Sequence, residues 1–543
     1  MKPQPWVIRL AVVVVAFALM AWLVYDNRAH AQSSTELTPQ EKRGKQIYLK
    51  GEGDTSEEIK AILGTDDLEL PASSFPCANC HGLRGEGSKE GGLLPPPLNW
   101  ASLTSRHQSA LTRQERAPYS EATLARAITA GMDSSGSRLH PGMPHFKMIA
   151  AQMADLIAYL KKIGNDSDVD PGLSEGSIRV GVALPITGAL ARIGEDVKAA
   201  LEATFADANS QGGIYGRKLE LVVEDSRGDS AGTYEATKRL VEQGKVFALV
   251  GSFEPGNSDI TNEYLKRNEV PLIGPVTLSP RLPAVPNRYV FYLLPSFGDQ
   301  ARSLVDFIGS EESRLKAQTA SRLAVVYADN SFDQDALSGL RLQAKMYSMN
   351  IVAEQSYNPG RLSAVATVGS LAGKKPDYIF FFGGSDEITA LAREMERVGL
   401  EAGLLSSAIM IGQGAFNLPP NVAARTYLSY PASLPNRDDF REFLVVMQKA
   451  SVNLRSTAFQ ATAYGAAKVF VEATKNSGRQ FSRVGLVNAL EQLHNFKIGA
   501  MPPVTFGPNR RVGATGSYIV TPELNKKEYV VVGDRIIPKG SSY

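Results

Sequence analysis

Five consecutive residues carry the most specific chemistry in this chain: Cys77-Ala78-Asn79-Cys80-His81. Two thiols at this spacing, followed at once by an imidazole, form the attachment site of a c-type haem. The thiols bond covalently to the porphyrin edge, and the histidine reaches the iron from one face. The 543 residues contain two cysteines in all, so none is left for a structural disulfide. A thioredoxin-like redox pair would need a βαβ setting, whereas Leu70-Pro71-Ala72-Ser73-Ser74-Phe75-Pro76 ahead of the motif is loop-like. A zinc site would need two further ligands at regular spacing, and none appears.

Iron bound through His81 needs a second axial ligand or an open position. Met143 is the candidate, in Leu139-His140-Pro141-Gly142-Met143-Pro144-His145-Phe146. Prolines on both sides stiffen that backbone. A His/Met pair raises the reduction potential and suits electron transfer rather than oxygen activation. Met132, Met148, His107, His140 and His145 are the competing donors. Met commonly fills irregular gaps in a core, which is the plainer reading of Met132 and Met148.

The remaining two thirds of the chain lacks the usual parts of a catalyst. It has no phosphate-cradling glycine loop ending in Lys-Ser/Thr, no Gly-x-Ser-x-Gly elbow and no His-Glu-x-x-His. Its one histidine is His494. The expectation is an electron carrier and binding protein, not an enzyme. Formal net charge is +2, with 43% hydrophobic residues. That gives ample apolar material for cores and no argument for a nucleic acid partner.

The elements that position these residues follow from pattern. Lys2 and Arg9 precede an apolar run from Leu10 to Tyr25, and Ala29-His30-Ala31 fits a cleavage site. Residues 1–31 therefore read as a signal peptide, the rival being an uncleaved N-terminal anchor. Either places the body in the periplasm, soluble or tethered to the inner membrane. Residues 36–163 carry the haem motif among helices at Thr38–Leu49, capped by Thr38 with Glu41, at Tyr119–Gly131, and at Ala151–Ile163. Residues 164–177 are polar, punctuated by Gly and Pro, and read as a linker. From 178 to 543, apolar strands alternate with amphipathic helices. Strands are expected at 178–185, 219–224, 247–251, 272–273, 323–327, 351–354, 378–382 and 408–411. Such alternation implies parallel sheets with helices on both faces, and the length implies two lobes. Ligands then belong at the carboxyl ends of strands. Those ends carry Pro185-Ile186-Thr187-Gly188, Gly251-Ser252, Gly274-Pro275-Val276-Thr277 and Gly383-Gly384-Ser385. Most of these glycine turns need no reading beyond tight connections. Gly251-Ser252 is the preferred exception, because a hydroxyl and free amides at a helix start hold an anion.

The first region resembles class I cytochromes c through Cys77-Ala78-Asn79-Cys80-His81-Gly82, Gly85, Gly87, Pro97-Leu98, Leu124-x-x-Ala127-Ile128-x-x-Gly131, Met143-Pro144 and Leu156-Ile157-Ala158-Tyr159-Leu160. The resemblance implies a small all-α domain, one covalently attached haem c and first and last helices crossing near Gly44 and Tyr159. An insert from Glu52 to Phe75 departs from that pattern.

The second region resembles the type I periplasmic solute-binding proteins of branched-chain amino acid transport. The matching residues are Gly181-x-x-x-Pro185-x-Thr187-Gly188, Asn209-x-x-Gly212-Gly213-Ile214-x-Gly216-Arg217, Leu219-x-Leu221-x-x-x-Asp225, Val250-Gly251-Ser252, Val270-Pro271-Leu272-Ile273, Asp377-Tyr378-Ile379 and Ala463-Tyr464-x-Ala466. It implies a two-lobed α/β module that closes over a small organic ligand across a three-stranded hinge and delivers it to an ABC permease. Ser252 and Thr277 fall where the family holds a carboxylate. Phe297 and Gln413 fall where acidic side chains hold an ammonium, and neither is charged. Phe332 and Ser385 fall near the family's aromatic flanks. Desolvating an unpartnered ammonium costs several kcal/mol. The expected ligand is therefore an apolar or aromatic acid, alcohol or similar small molecule, with Asp299 or Asp386 as the residues a register slip would recruit instead. The fusion implies a redox partner protein, such as a periplasmic dehydrogenase or another cytochrome.

Overall fold

The computed structural model describes residues 37–64, 68–87, 95–108, 115–256, 258–277, 286–315, 320–434, 440–479 and 481–540. Residues 1–31, read from sequence as a signal peptide, lie outside the described residues. Among those described, no helix is long and apolar enough to cross a membrane. The chain divides into two compact units, Met1–Val169 and Asp170–Tyr543. The stretch read as a linker divides between them. Asp168 is buried in the first unit, where it pairs with Lys45 at 2.9 Å and accepts from Gly164 N. Asp170 accepts from Arg483 N in the second.

In the first unit, helix α1 (Pro39–Lys50) opens on Thr38, whose hydroxyl accepts from Glu41 N while Glu41 returns a bond to Thr38 N. Two otherwise orphaned amides are satisfied this way. Helix α2 (Cys77–His81) is a single turn after Pro76. Helix α3 (Glu121–Ala130) is capped by Ser120, and α4 (Ala150–Leu160) closes the unit. α1 and α4 cross so closely that a Cβ on Gly44 would lie 2.0 Å from Asp155 O and 2.7 Å from Tyr159 Cβ. Only glycine permits that approach. Tyr48 and Tyr159 meet beside it at 5.6 Å. The helical frame carries one addition. The insert forms strands β1 (Lys60–Leu63) and β2 (Leu68–Pro71), and these join β3 (His145–Lys147) in an antiparallel sheet of order β2-β1-β3.

The second unit has two lobes. Lobe 1 is built on β4 (Ser177–Leu184), β5 (Lys218–Asp225), β6 (Ala248–Val250), β7 (Phe253–Glu254), β8 (Leu272–Ile273), β9 (Val276–Thr277) and β10 (Val290–Phe291). Its parallel sheet runs β10-β8-β6-β4-β5, and β7 and β9 pair separately beyond it. Lobe 2 contains β11 (Arg322–Ala328), β12 (Asn350–Tyr357), β13 (Tyr378–Phe382), β14 (Gly403–Ser407), β15 (Thr426–Tyr430), β16 (Tyr518–Glu523) and β17 (Glu528–Val531). Its sheet runs β12-β11-β13-β14-β15-β16-β17. The pairs up to β15 are parallel, whereas β16 and β17 add antiparallel. Residues 408–411, expected as a strand, instead form the short helix α5 (Ala408–Ile411). The strand is β14, immediately before it, where Leu404 and Leu405 are buried. A four-residue apolar run suits a buried strand or a buried helical turn equally, and periodicity cannot separate them.

The two lobes have separate cores, and the backbone passes between them near Pro295, after Tyr430 and near Thr515. Arg535 ties two of these passages. Its guanidinium donates to Thr515 O at 3.0 Å, Gly516 O at 2.7 Å and Pro431 O at 3.1 Å, with the Tyr518 ring 5.4 Å away. Burial pulls its pKa down to about 10.

Candidate functional sites

In the first unit, α2 places Cys77 and Cys80 three residues apart on one helical face. His81 is buried, and its Nδ1 lies 3.1 Å from Pro96 O. A carbonyl only accepts, so Nδ1 carries the proton and Nε2 keeps its lone pair. Burial, the larger influence, lowers the imidazole pKa, while Pro96 opposes it. A neutral imidazole oriented by a carbonyl is the usual form of a metal-ligating histidine. The apolar side chains Phe75, Leu83, Leu98, Trp100, Leu139 and Met148 pack against the core that includes Ala78 of α2, yet stay only partly buried. Two thiols, one free Nε2 and an apolar lining fit a covalently held haem.

Met143 sits half-exposed in a turn closed by its own N–H to His140 O at 2.9 Å. The competing histidines have other work. His140 Nδ1 accepts from Gly142 N at 3.0 Å. The His145 ring lies against Gly131, where a Cβ would meet Nε2 at 2.0 Å. Gly131 ends α3 with φ +63°, a second reason for glycine there. Met132 forms an isolated bridge with Arg138, and the side chain of His107 is outside the described residues.

In the second unit, a cavity of about 550 Å³ lies between the lobes. Of the residues predicted from sequence, Thr277, Phe297 and Gln413 line it. Ser252 and Ser385 do not. Ser252 is 1% exposed, and its Oγ accepts from Ala183 N at 3.1 Å, which ties β6 to β4. Ser385 begins α6 (Ser385–Val398) and packs behind the loop of Gln413, where a Cβ on Gly414 would lie 2.5 Å from Ser385 O. Phe332 is in a helix, Ser331–Met346, but its side chain is outside the described residues. Asp299 is buried against Arg302 at 3.3 Å, and Asp386 is exposed. Neither lines the cavity.

Sequence reading missed the aromatic wall. Phe416, Tyr430 and Tyr529 reach the cavity from three separate segments, and the Tyr529 ring packs at a tilt against the other two, with centroids 4.9 Å from Phe416 and 5.7 Å from Tyr430. No local pattern links them, because β16 and β17 bring Tyr529 beside Tyr430 only in the folded lobe. Arg455, also in the lining, is paired with Asp196 at 2.7 Å. Lys527 and Glu528 line the cavity but are exposed to solvent. One buried carboxyl was also missed. Glu254 is the register partner of Thr277, is 2% exposed, and has no hydrogen-bond partner on either oxygen. Burial pushes its pKa up to about 8, with the nearby Ser258 opposing.

Comparison with known proteins agrees with this architecture. Residues 177–527 match the periplasmic binding protein family model, and residues 72–164 match the cytochrome c model. A Leu/Ile/Val-binding protein homolog from Brucella melitensis is 23% identical over 313 residues, covering 58% of this chain and 83% of that protein. A branched chain amino acid ABC transporter structure from Thermus thermophilus, with bound valine, superposes with a TM-score of 0.56 at 19% identity. It covers 67% of this chain and 97% of that one. A fatty acid ABC transporter substrate-binding protein from Thermomonospora curvata gives 0.55 at 19% identity, covering 68% and 95%. The chain thus belongs to the periplasmic binding protein family, with a cytochrome c domain at its N-terminal side.

Proposed function

We propose that this is a periplasmic redox protein that captures a small apolar or aromatic molecule between its lobes and transfers electrons through one haem c. Cys77 and Cys80 would hold the haem covalently through their sulfurs, and His81 and Met143 would ligate its iron. Attached there, the group supplies a one-electron iron couple, whose potential a His/Met pair raises. Pro96 holds the His81 ring in place, and the partly buried apolar side chains of that core limit access of water.

The observation that carries the ligand reading is the cleft wall. Phe297, Phe416, Tyr430 and Tyr529 are aromatic, Gln413 is uncharged, and Arg455 is already paired. Each aromatic ring offers a large apolar surface at little entropic cost. An ammonium group entering beside Phe297 and Gln413 would lose its hydration there, and the carboxylate in the lining, Glu528, is itself exposed to solvent. The solved relatives support no narrower choice, since one holds valine and another is a fatty acid transporter's substrate-binding protein.

Titration calorimetry of the full chain tests this. Aromatic or medium-chain carboxylic acids, or the corresponding alcohols, are expected to bind saturably, and leucine and valine are not. Saturable binding of leucine or valine would overturn the reading, and since Asp299 is buried against Arg302 away from the cavity, that outcome does not depend on it. In the favoured version, the binding lobes serve a periplasmic dehydrogenase whose electrons pass to the haem. The relatedness to Leu/Ile/Val-binding proteins favours a second version, a receptor for an ABC permease in which the haem is a sensor or accessory. A midpoint potential that shifts on ligand binding supports coupling of the two functions.

A further inference from the structure

The segment between α1 and the Cys-x-x-Cys-His turn is longer than a simple connection, and the fold uses the excess in one place. β1 pairs with β3 in the register Lys60↔Lys147, Ala61↔Phe146 and Ile62↔His145. β3 begins two residues after Met143. The same segment also holds the start of α4. Gln152, 2% exposed, donates its side-chain amide to Thr55 Oγ1 and Glu57 O, both at 2.9 Å, and accepts from Ile149 N at 3.1 Å. Ile59, Ala61 and Ala72 are buried in the unit's core, so the insert is packed and not merely laid on the surface. On the upstream side, Leu139 N donates to Gly131 O at 2.8 Å.

We propose that the 52–75 insert is a clamp that positions the Met143 loop and so keeps the thioether on the iron. The inference rests on the reading of Met143 as axial ligand. The physical reason is entropic. Ordering a free loop costs conformational entropy for every residue that is fixed. Here the strand pairing and the Gln152 bonds order the chain after Met143 during folding, so ligation does not bear that cost. Gln152 and the insert are positioning elements and do not touch the iron.

The test uses the full chain matured with its haem. One variant replaces 60–71 with a short glycine link. A second, Gln152→Ala, removes two bonds to the insert without touching the strands, and decides the matter should the first fail to mature. Glu69→Gln, which loses only exposed ion pairs to Lys60 and Lys147, is the control. The readouts are the near-infrared charge-transfer band of a thioether-ligated ferric haem and the rate of carbon monoxide binding to the ferrous form. The wild type and the control should show the full band and slow binding. Gln152→Ala should bind carbon monoxide about tenfold faster, the factor expected for losing hydrogen bonds of this kind. The excised chain should lose the band. Variants that keep the band and the wild-type rate overturn the clamp alone. A wild type without the band overturns the Met143 reading and the clamp with it.

Discussion

Glu254 has a carboxyl that folding removes from water while giving neither oxygen a donor. Tyr292, whose own pKa the Glu254 charge raises, is a nearby titratable group. The Glu254 pKa is raised from 4.5 to about 8, so the folded chain holds this proton more tightly than the unfolded chain. The associated stability is complete below about pH 4.5 and is lost as pH rises to about 8. The slope is at most about 1.4 kcal/mol per pH unit. Glu254→Gln mimics the protonated acid, so urea denaturation between pH 5 and 8 should show the variant gaining on the wild type as pH rises. A constant difference would show that Glu254 is ionised in the folded state. At this scale the cytochrome c motif was legible because thiol and imidazole types at fixed spacing have few other uses. Ser252 was not, because a hydroxyl at a strand end looks the same whether it binds a ligand or, as here, a neighbouring backbone amide.

Helices and strands with strong period were legible. The capping box at Thr38 and the parallel strands from Ser177 to Phe382 fall where the pattern puts them, within a few residues. The antiparallel additions β16 and β17 were not, and with them went Tyr529 of the cleft wall and Arg535. A lone arginine near the C-terminus has no local signature. Its role lies in three carbonyls from two distant crossing segments. Arg535→Lys keeps the charge but cannot present a planar fork to all three. It should destabilise the second unit by about 2–3 kcal/mol, the scale for leaving buried acceptors without donors. Urea denaturation followed by far-ultraviolet circular dichroism measures this. A variant as stable as the wild type would show that the passages between lobes are held by other contacts.

At the scale of the whole molecule, two modules of different kinds share one chain, and each was legible for a different reason. The cytochrome c part announces itself by a short motif of rare residues. The binding module does so only by a long series of individually weak matches, so its fold is clearer than its ligand. The proposed ligand reading rests on aromatic side chains gathered from segments far apart in sequence, whereas the proposed covalent attachment of haem rests on five adjacent residues. The account therefore stands first on that covalent bond. Intact-mass measurement under denaturing conditions, on protein exported from a host with cytochrome c maturation, tests it directly. The predicted mass is that of the exported chain plus one haem, and the adduct should disappear when Cys77 and Cys80 are both changed to alanine. A chain of unmodified mass, or pigment that separates on denaturation, would contradict it.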